Sequence, residues 1–214
     1  MRAALAHVLW IGGGPQAGKT TLSRLLAGKW DLRIYNLDLH GGSERDARRG
    51  EAEAAFAALS MDERWALPTV AELIQRSIRI WEERFERATD DLLALPRTRP
   101  IVAEGPGALP WFVAPLVTSA EQAIFLVPTA ERREVVAVDR WGRGQAQRFP
   151  GIVDRNRALR KVRERDLLMD ELTVSACEQL GLRCARVDGS RDLDASLGLL
   201  EEQFGGRLPE RMNA

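Results

Sequence analysis

The chain has 214 residues, 45% of them hydrophobic and 29% charged, enough apolar side chain for a sizeable core in one domain but too short for two large ones. Lysine plus arginine and aspartate plus glutamate each count 31, a formal net charge of zero, so bulk charge gives no support to a nucleic-acid or anionic-membrane partner. No run approaches the roughly 18 apolar residues of a membrane span, and a glycine-rich stretch interrupts what would be a leader's apolar core, so a soluble cytoplasmic protein is expected.

The first apolar run, His7 to Ile11, reads as a buried parallel strand. It leads into Gly13-Gly14-Pro15-Gln16-Ala17-Gly18-Lys19-Thr20, which fits the pattern GxxxxGK[ST]. Thr21 to Ala27 then carries apolar residues at helical spacing. Strand, glycine loop, helix is the setting in which this pattern cradles phosphate. The glycines let successive N–H groups turn inward, and the N-terminus of the following helix adds a partial positive charge. In such a loop Lys19 reaches the β- and γ-phosphates and the Thr20 hydroxyl ligates Mg²⁺, with Thr21 beside it. The ligand expected is ATP or another nucleoside triphosphate with Mg²⁺.

Four further apolar runs follow: Leu32 to Leu37, Ile101 to Ala103, Ala123 to Val127 and Leu182 to Val187. Alternation with helical segments predicts a doubly wound α/β fold, here a three-layer P-loop sandwich on a five-stranded parallel sheet. Ligands of that architecture sit at the carboxyl ends of the strands. Asp38 follows the second strand, where a carboxylate can accept a proton from an acceptor hydroxyl or hold it in line; the competing reading is a helix cap. His40 is a weaker candidate, and His7 reads as structural. Glu104 follows the third strand, a position suited to Mg²⁺ directly or through water. Asp188 and Gly189 follow the fifth.

About sixty residues separate the second and third strands, far more than a crossover needs. Glu51 to Leu59 and Val70 to Leu95 read as helices, the second with an apolar stripe from Leu73 to Leu95. Residues 40–98 are therefore read as a helical insertion capping the acceptor. Trp65, Trp81 and Trp111 are candidates to line an acceptor pocket, though tryptophans more often pack in cores.

Ten arginines lie between Arg132 and Arg165. The glycine-rich stretch Trp141 to Gly151 among them suggests a lid over residues 140–165 that excludes water when closed. Arg140, Arg163 and Arg165 bracket it at its helical roots and are the expected phosphate contacts, since the guanidinium fork matches phosphate oxygens. Interleaved acids argue against a nucleic-acid patch. The last long helix, Asn156 to Leu180, carries Leu159, Val162, Leu167, Leu168, Leu172, Val174 and Ala176, and Leu193 to Phe204 reads as a closing helix. Cys177 and Cys184 lack metal-ligand spacing and are expected as reduced thiols.

The GxxxxGKTT loop, the Asp after the second strand, the helical insertion, the apolar strand ending Glu104-Gly105, the arginine-flanked lid and the late Val187-Asp188-Gly189 loop together resemble the nucleoside and nucleotide kinase group of P-loop proteins. Val102 to Pro110, Leu126 to Thr129 and Arg165-Asp166 look like a bacterial small-molecule kinase set within that group. The resemblance covers nearly the whole chain and implies one kinase-like domain over residues 1–214 with sheet order 2-3-1-4-5. It also implies that Asp38 contacts the acceptor or acts as base, that lid arginines bind phosphates, and that Val187 to Ser190 lies beside adenine. The chain departs from nucleoside monophosphate kinases in lacking their arginine pair for an acceptor phosphate, a role for which Arg45, Arg48 and Arg49 are the substitutes at hand. The expected activity is phosphoryl transfer to a small-molecule hydroxyl. The alternatives are a nucleotide-gated binding protein that signals to a partner, and a kinase for nucleic-acid 5′ ends.

Overall fold

A computed structural model describes residues 1–40, 49–142 and 149–209. The chain runs β1 (Val8–Gly13), α1 (Lys19–Trp30), β2 (Arg33–Asn36) and α2 (Leu37–His40). Three helices follow, α3 (Glu51–Ala58), α4 (Met61–Trp65) and α5 (Val70–Ala94), before β3 (Ile101–Glu104) and α6 (Pro110–Val113). The second half is β4 (Ala123–Pro128), α7 (Ala130–Gly142), α8 (Arg155–Leu180), β5 (Arg183–Val187) and α9 (Leu193–Phe204). The strands form one sheet in the order β2-β3-β1-β4-β5, with every pairing parallel.

The central strands are apolar throughout because both faces of the sheet are covered. Along β1, Val8 and Trp10 enter a core with Phe85, Leu92, Phe125 and Val113. Leu9 and Ile11 point the other way, toward Leu22, Leu26, Leu200 and Phe204. Each such side chain contributes about 1.5–3 kcal/mol of burial. The segment between β2 and β3 is pinned by charge as well as by packing. Glu53 on α3 is buried and pairs with Arg84 and Arg87 of α5 at 2.7 and 2.6 Å. The Glu83 carboxylate accepts from Ala52 N and Glu53 N, supplying the cap that Gly50 lacks a side chain to provide. The short α4 escaped the periodicity reading, although Ser60 and Glu63 form a capping box that starts it.

The long helix α8 departs from the expected stripe. Leu168 and Leu172 are exposed, while Ala158, Val162, Arg165, Asp166, Met169, Asp170, Thr173 and Cys177 are buried. The helix turns its acids inward because Arg133 and Arg165 meet them there, and desolvated charges need partners more than the leucines need full cover. A small third cluster joins α4 to the start of α8, with Phe149, Ala158 and Val162 packed on Ala66 and Trp65. Both cysteines are free thiols, and no described helix is long and apolar enough to cross a membrane.

Gly12 has no room for a side chain where β1 meets β4 and the loop after β3. A Cβ there would collide with the Ala108 carbonyl and sit 2.6 Å from the Phe125 ring. Gly12→Ala is expected to cost about 1–3 kcal/mol in urea unfolding; a midpoint equal to that of the parent chain would show that the packing around Gly12 is looser than described.

Candidate phosphate-binding site

The loop between β1 and α1 is shaped by backbone conformations that side chains resist. Gly13 and Gly18 have φ of 107° and 83°, and Gln16 also has a positive φ, 70°. Gly18 occupies the N-cap position of α1 and supplies no capping side chain, so the first N–H groups of that helix are free to meet an anion. Gly14 N donates to Leu126 O at 3.0 Å, tying the loop to β4.

Lys19 opens α1 with its side chain buried. Its Nζ donates to Gly13 O at 3.0 Å and Gly14 O at 2.7 Å, so the loop wraps around its own ammonium. Burial pushes the Lys19 ammonium down to about 8, with Arg133 adding to the shift and Glu104, Asp38 and Asp170 opposing it. One position on, Thr20 Oγ1 donates to Glu104 Oε1 at 3.0 Å.

Glu104 ends β3, in register with Ile11 on one side and Asn36 on the other, and is 1% exposed. Asn36 Nδ2 donates to the same Oε1. Burial raises the Glu104 pKa, while Thr20, Lys19 and Asn36 pull it down. The other end of the Asn36 amide serves the backbone, where Oδ1 accepts from Asp38 N and Leu39 N, both at 2.9 Å. The cap of α2 is therefore Asn36, and Asp38 is the second residue of that helix. Asp38 remains open to solvent on one side, yet the protein around its carboxyl raises its pKa, with Lys19 and Arg84 drawing it back.

Lys19, Thr20, Asp38, Glu104 and Pro106 line one cavity of about 210 Å³ at the mouth of the loop, together with Pro15, Gln16, Gly18 and Thr21. On the other side of α1 a larger cleft of about 740 Å³ runs from Gln16, Ala17 and Gly18 to Asp188 and Gly189. Arg132, Arg186 and Arg191 also line it, and the Arg132 side chain packs against Gly189. Asp188 accepts from Ser190 N and Oγ, which closes the turn after β5. The residues expected at the loop, the metal position and the β5 turn thus line two spaces that share Gln16, Gly18 and Thr21 as walls.

The expected lid residues are dispersed. Arg163 pairs with Glu134 on the surface. Arg165 is buried, donates to Asp166 Oδ1, and lies 5.7 Å over the Trp65 ring. The side chains of Arg140 and His40, the Arg45 and Arg48 positions, and residues 143–148 lie outside the described residues. Trp65 packs on Phe149 and Phe56, Trp81 on Gly107 and Trp111 on Phe112. The arginine that does reach the loop is Arg133. It is 4% exposed and donates to Pro15 O at 3.2 Å, to Gln16 Oε1 and to Asp170 Oδ2. Its place one turn into the helix that follows β4 is the signal that singles it out among ten.

A parallel sheet in this order with a GxxxxGKT loop after its central strand defines the class: the fold is that of the P-loop kinases. No family model matches the chain, and no curated protein sequence does. Among solved structures it is similar to a shikimate kinase from Acinetobacter baumannii, at 13% identity over 94% of this chain and 95% of that one, with a TM-score of 0.49. A deoxyadenosine kinase from M. mycoides gives 12% identity, 93% and 99% coverage and a TM-score of 0.48. A gluconokinase from Sinorhizobium meliloti 1021 gives 15%, 95% and 92%, and 0.43. Likenesses at these scores carry no argument about what this chain acts on, which rests on the site itself.

Replacing Asn36 by Ala removes a helix cap, worth about 1 kcal/mol, and one of the two donors to Glu104. The expected result is a less stable protein in which the Glu104 carboxyl titrates at higher pH, read by carboxyl-carbon NMR. An unchanged Glu104 titration would show that Asn36 does not govern that carboxylate.

Proposed function

We propose that the chain transfers the γ-phosphoryl group of ATP, in the presence of Mg²⁺, to a hydroxyl of a small-molecule acceptor. The observation that carries this reading is the single cavity in which Lys19, Thr20, Asp38 and Glu104 converge at the open end of α1. Phosphoryl transfer asks a protein for positioning and charge more than for covalent chemistry, and this cavity offers both.

The loop N–H groups and Lys19 hold the β- and γ-phosphates, Lys19 exchanging its carbonyl partners at Gly13 and Gly14 for phosphate oxygens. The Thr20 hydroxyl and the Glu104 carboxylate are hard oxygen donors 3.0 Å apart, a pair suited to Mg²⁺ directly or through water. Held by Thr20 and Glu104, Mg²⁺ would supply positive charge to offset the negative charge that builds on the phosphate oxygens. Asp38 accepts the proton of the acceptor hydroxyl as its oxygen bonds to phosphorus and the bond to the ADP oxygen breaks; its raised pKa makes it a better base than an ordinary aspartate. The cleft beyond Gly18 takes the nucleoside, with Asp188 and Gly189 beside the base and the Arg132 guanidinium as a flat surface against it. Arg140, Arg163 and Arg165 belong to the lid roots, and the helices of residues 40–98 cover the acceptor. Of Arg163 and Arg165, the exposed Arg163 is the freer to turn toward phosphate, because Arg165 would have to leave its buried partner Asp166.

The test is ADP release from Mg·ATP over a panel of nucleosides, nucleoside monophosphates, sugars and hydroxy acids, with binding of ATP measured alongside. One acceptor class is expected to stimulate turnover. Lys19→Ala should abolish it, and Asp38→Asn should keep ATP affinity while losing transfer by roughly a hundredfold or more. Near-full transfer by Asp38→Asn would remove the base from the mechanism. A panel with no response but tight ATP binding would replace the kinase by a nucleotide-gated binding protein.

A further inference from the structure

Beneath the phosphate loop lies a buried run of ion pairs, of which the mechanism above names Arg165 alone, as a lid root. Arg133 of α7 touches the loop at Pro15 O and Gln16 Oε1. Behind it stand two acids of α8: Asp170, whose Oδ2 accepts from Arg133, and Asp166, 3.6 Å from the same guanidinium. Asp166 in turn holds Arg165, which reaches Ser77 Oγ of α5 at 3.4 Å and covers Trp65 of α4. Arg133, Arg165, Asp166 and Asp170 are each more than nine-tenths buried.

Two details separate Asp170 from an ordinary structural partner. Its second oxygen, Oδ1, is buried with no hydrogen-bond partner among the described residues, and it is aimed at the loop: a Cβ on Gly14 would collide with that oxygen. A buried carboxylate with one oxygen unused is costly. Holding a guanidinium in one orientation against the loop carbonyls is a return on that cost, since the fork must be oriented to serve Pro15 and Gln16 at once.

We propose that Asp170 is a positioning residue for nucleotide binding, acting through Arg133 to fix the Pro15–Gln16 turn of the phosphate loop from the helix that forms the lid's second root. The inference rests on the nucleotide-binding reading above. It assigns to α8 a part in the loop's shape, and it makes Asp166 and Arg165 the continuation of the same support into the helices of the insertion.

The charge of Asp170 makes the proposal falsifiable in sign. A carboxylate near bound phosphates repels them, so if Asp170 did nothing but occupy space, Asp170→Asn would tighten nucleotide binding or leave it unchanged. If it positions Arg133, the same change loosens binding, by roughly tenfold for the loss of one charged hydrogen bond. Arg133→Lys, which keeps the charge but loses the fork, should weaken binding to a similar extent, and the double variant should be little weaker than either alone. Should Asp170→Asn fail to fold, Arg133→Lys carries the test alone: affinity equal to the parent's overturns the proposal.

Acidity supplies a readout that a purely structural role would not move. The groups facing Asp170 are Arg133 on α7, Asp166 on α8, Lys19 on α1 and Cys184 on β5. Burial pushes its pKa up to about 6, against the pull of Arg133. Below about pH 6 the parent protein therefore loses the same charge that Asp170→Asn removes. The ratio of variant to parent dissociation constants for ADP, in which the ligand's own titration cancels, is expected to fall toward one as the solution is acidified. A ratio independent of pH, or tighter binding by the variant, overturns the proposal. If the parent chain binds no nucleotide at all, the functional reading falls and this one with it; if the parent binds and Asp170→Asn binds equally well, only this one does.

Discussion

The arrangement depends on an ammonium group held almost wholly out of water. Lys19 is 6% exposed, and the two carbonyls that serve it belong to the loop it would otherwise collapse. A buried charge demands partners, and these carbonyls are available because Gly13 and Gly14 let the chain turn tightly around the side chain. The same turn leaves the first N–H groups of α1 pointing outward, away from the ammonium's carbonyls. Anion affinity and loop shape are thus two consequences of one buried charge.

The sheet brings the remaining chemistry to that point by register alone. Because β2, β3 and β1 run parallel, with Asn36, Glu104 and Ile11 side by side, the acid at the end of β3 faces the hydroxyl at the start of α1. Asn36 then links the two strand ends and caps α2. Around this edge opposite charges alternate, Lys19 with Glu104 and Asp38, Arg133 with Asp170, Arg165 with Asp166. All but Asp38 are buried, so they anchor their neighbours far more than a surface pair would.

Much of this was legible in the sequence, because local patterns carried it. The glycine loop, the runs that became β1, β3 and β4, the acids at the ends of the second, third and fifth strands and the long α5 all follow from residue type and period. What escaped were interactions between elements distant along the chain. Asn36 reads as an ordinary strand end until β3 is laid beside it. Arg133 is one of ten arginines until α7 is set against the loop. The leucines of α8 suggested a stripe that the fold turns toward solvent, since two acids four residues apart, Asp166 and Asp170, were the better guide to its buried face. An acid interrupting an apolar helix at that spacing is a signal that hydrophobic periodicity discards.

The most direct test of the account is calorimetric titration of ADP with Mg²⁺, in buffers of different ionisation enthalpy, above and below about pH 8. If Lys19 gives up the loop carbonyls for phosphate, binding above about pH 8 must take up a proton, because burial has left the free ammonium with a pKa of about 8 while the anion requires it charged. The account predicts buffer-dependent heats and weakening affinity on the alkaline side, both absent on the neutral side. Heats independent of buffer with a flat affinity across that range would contradict it.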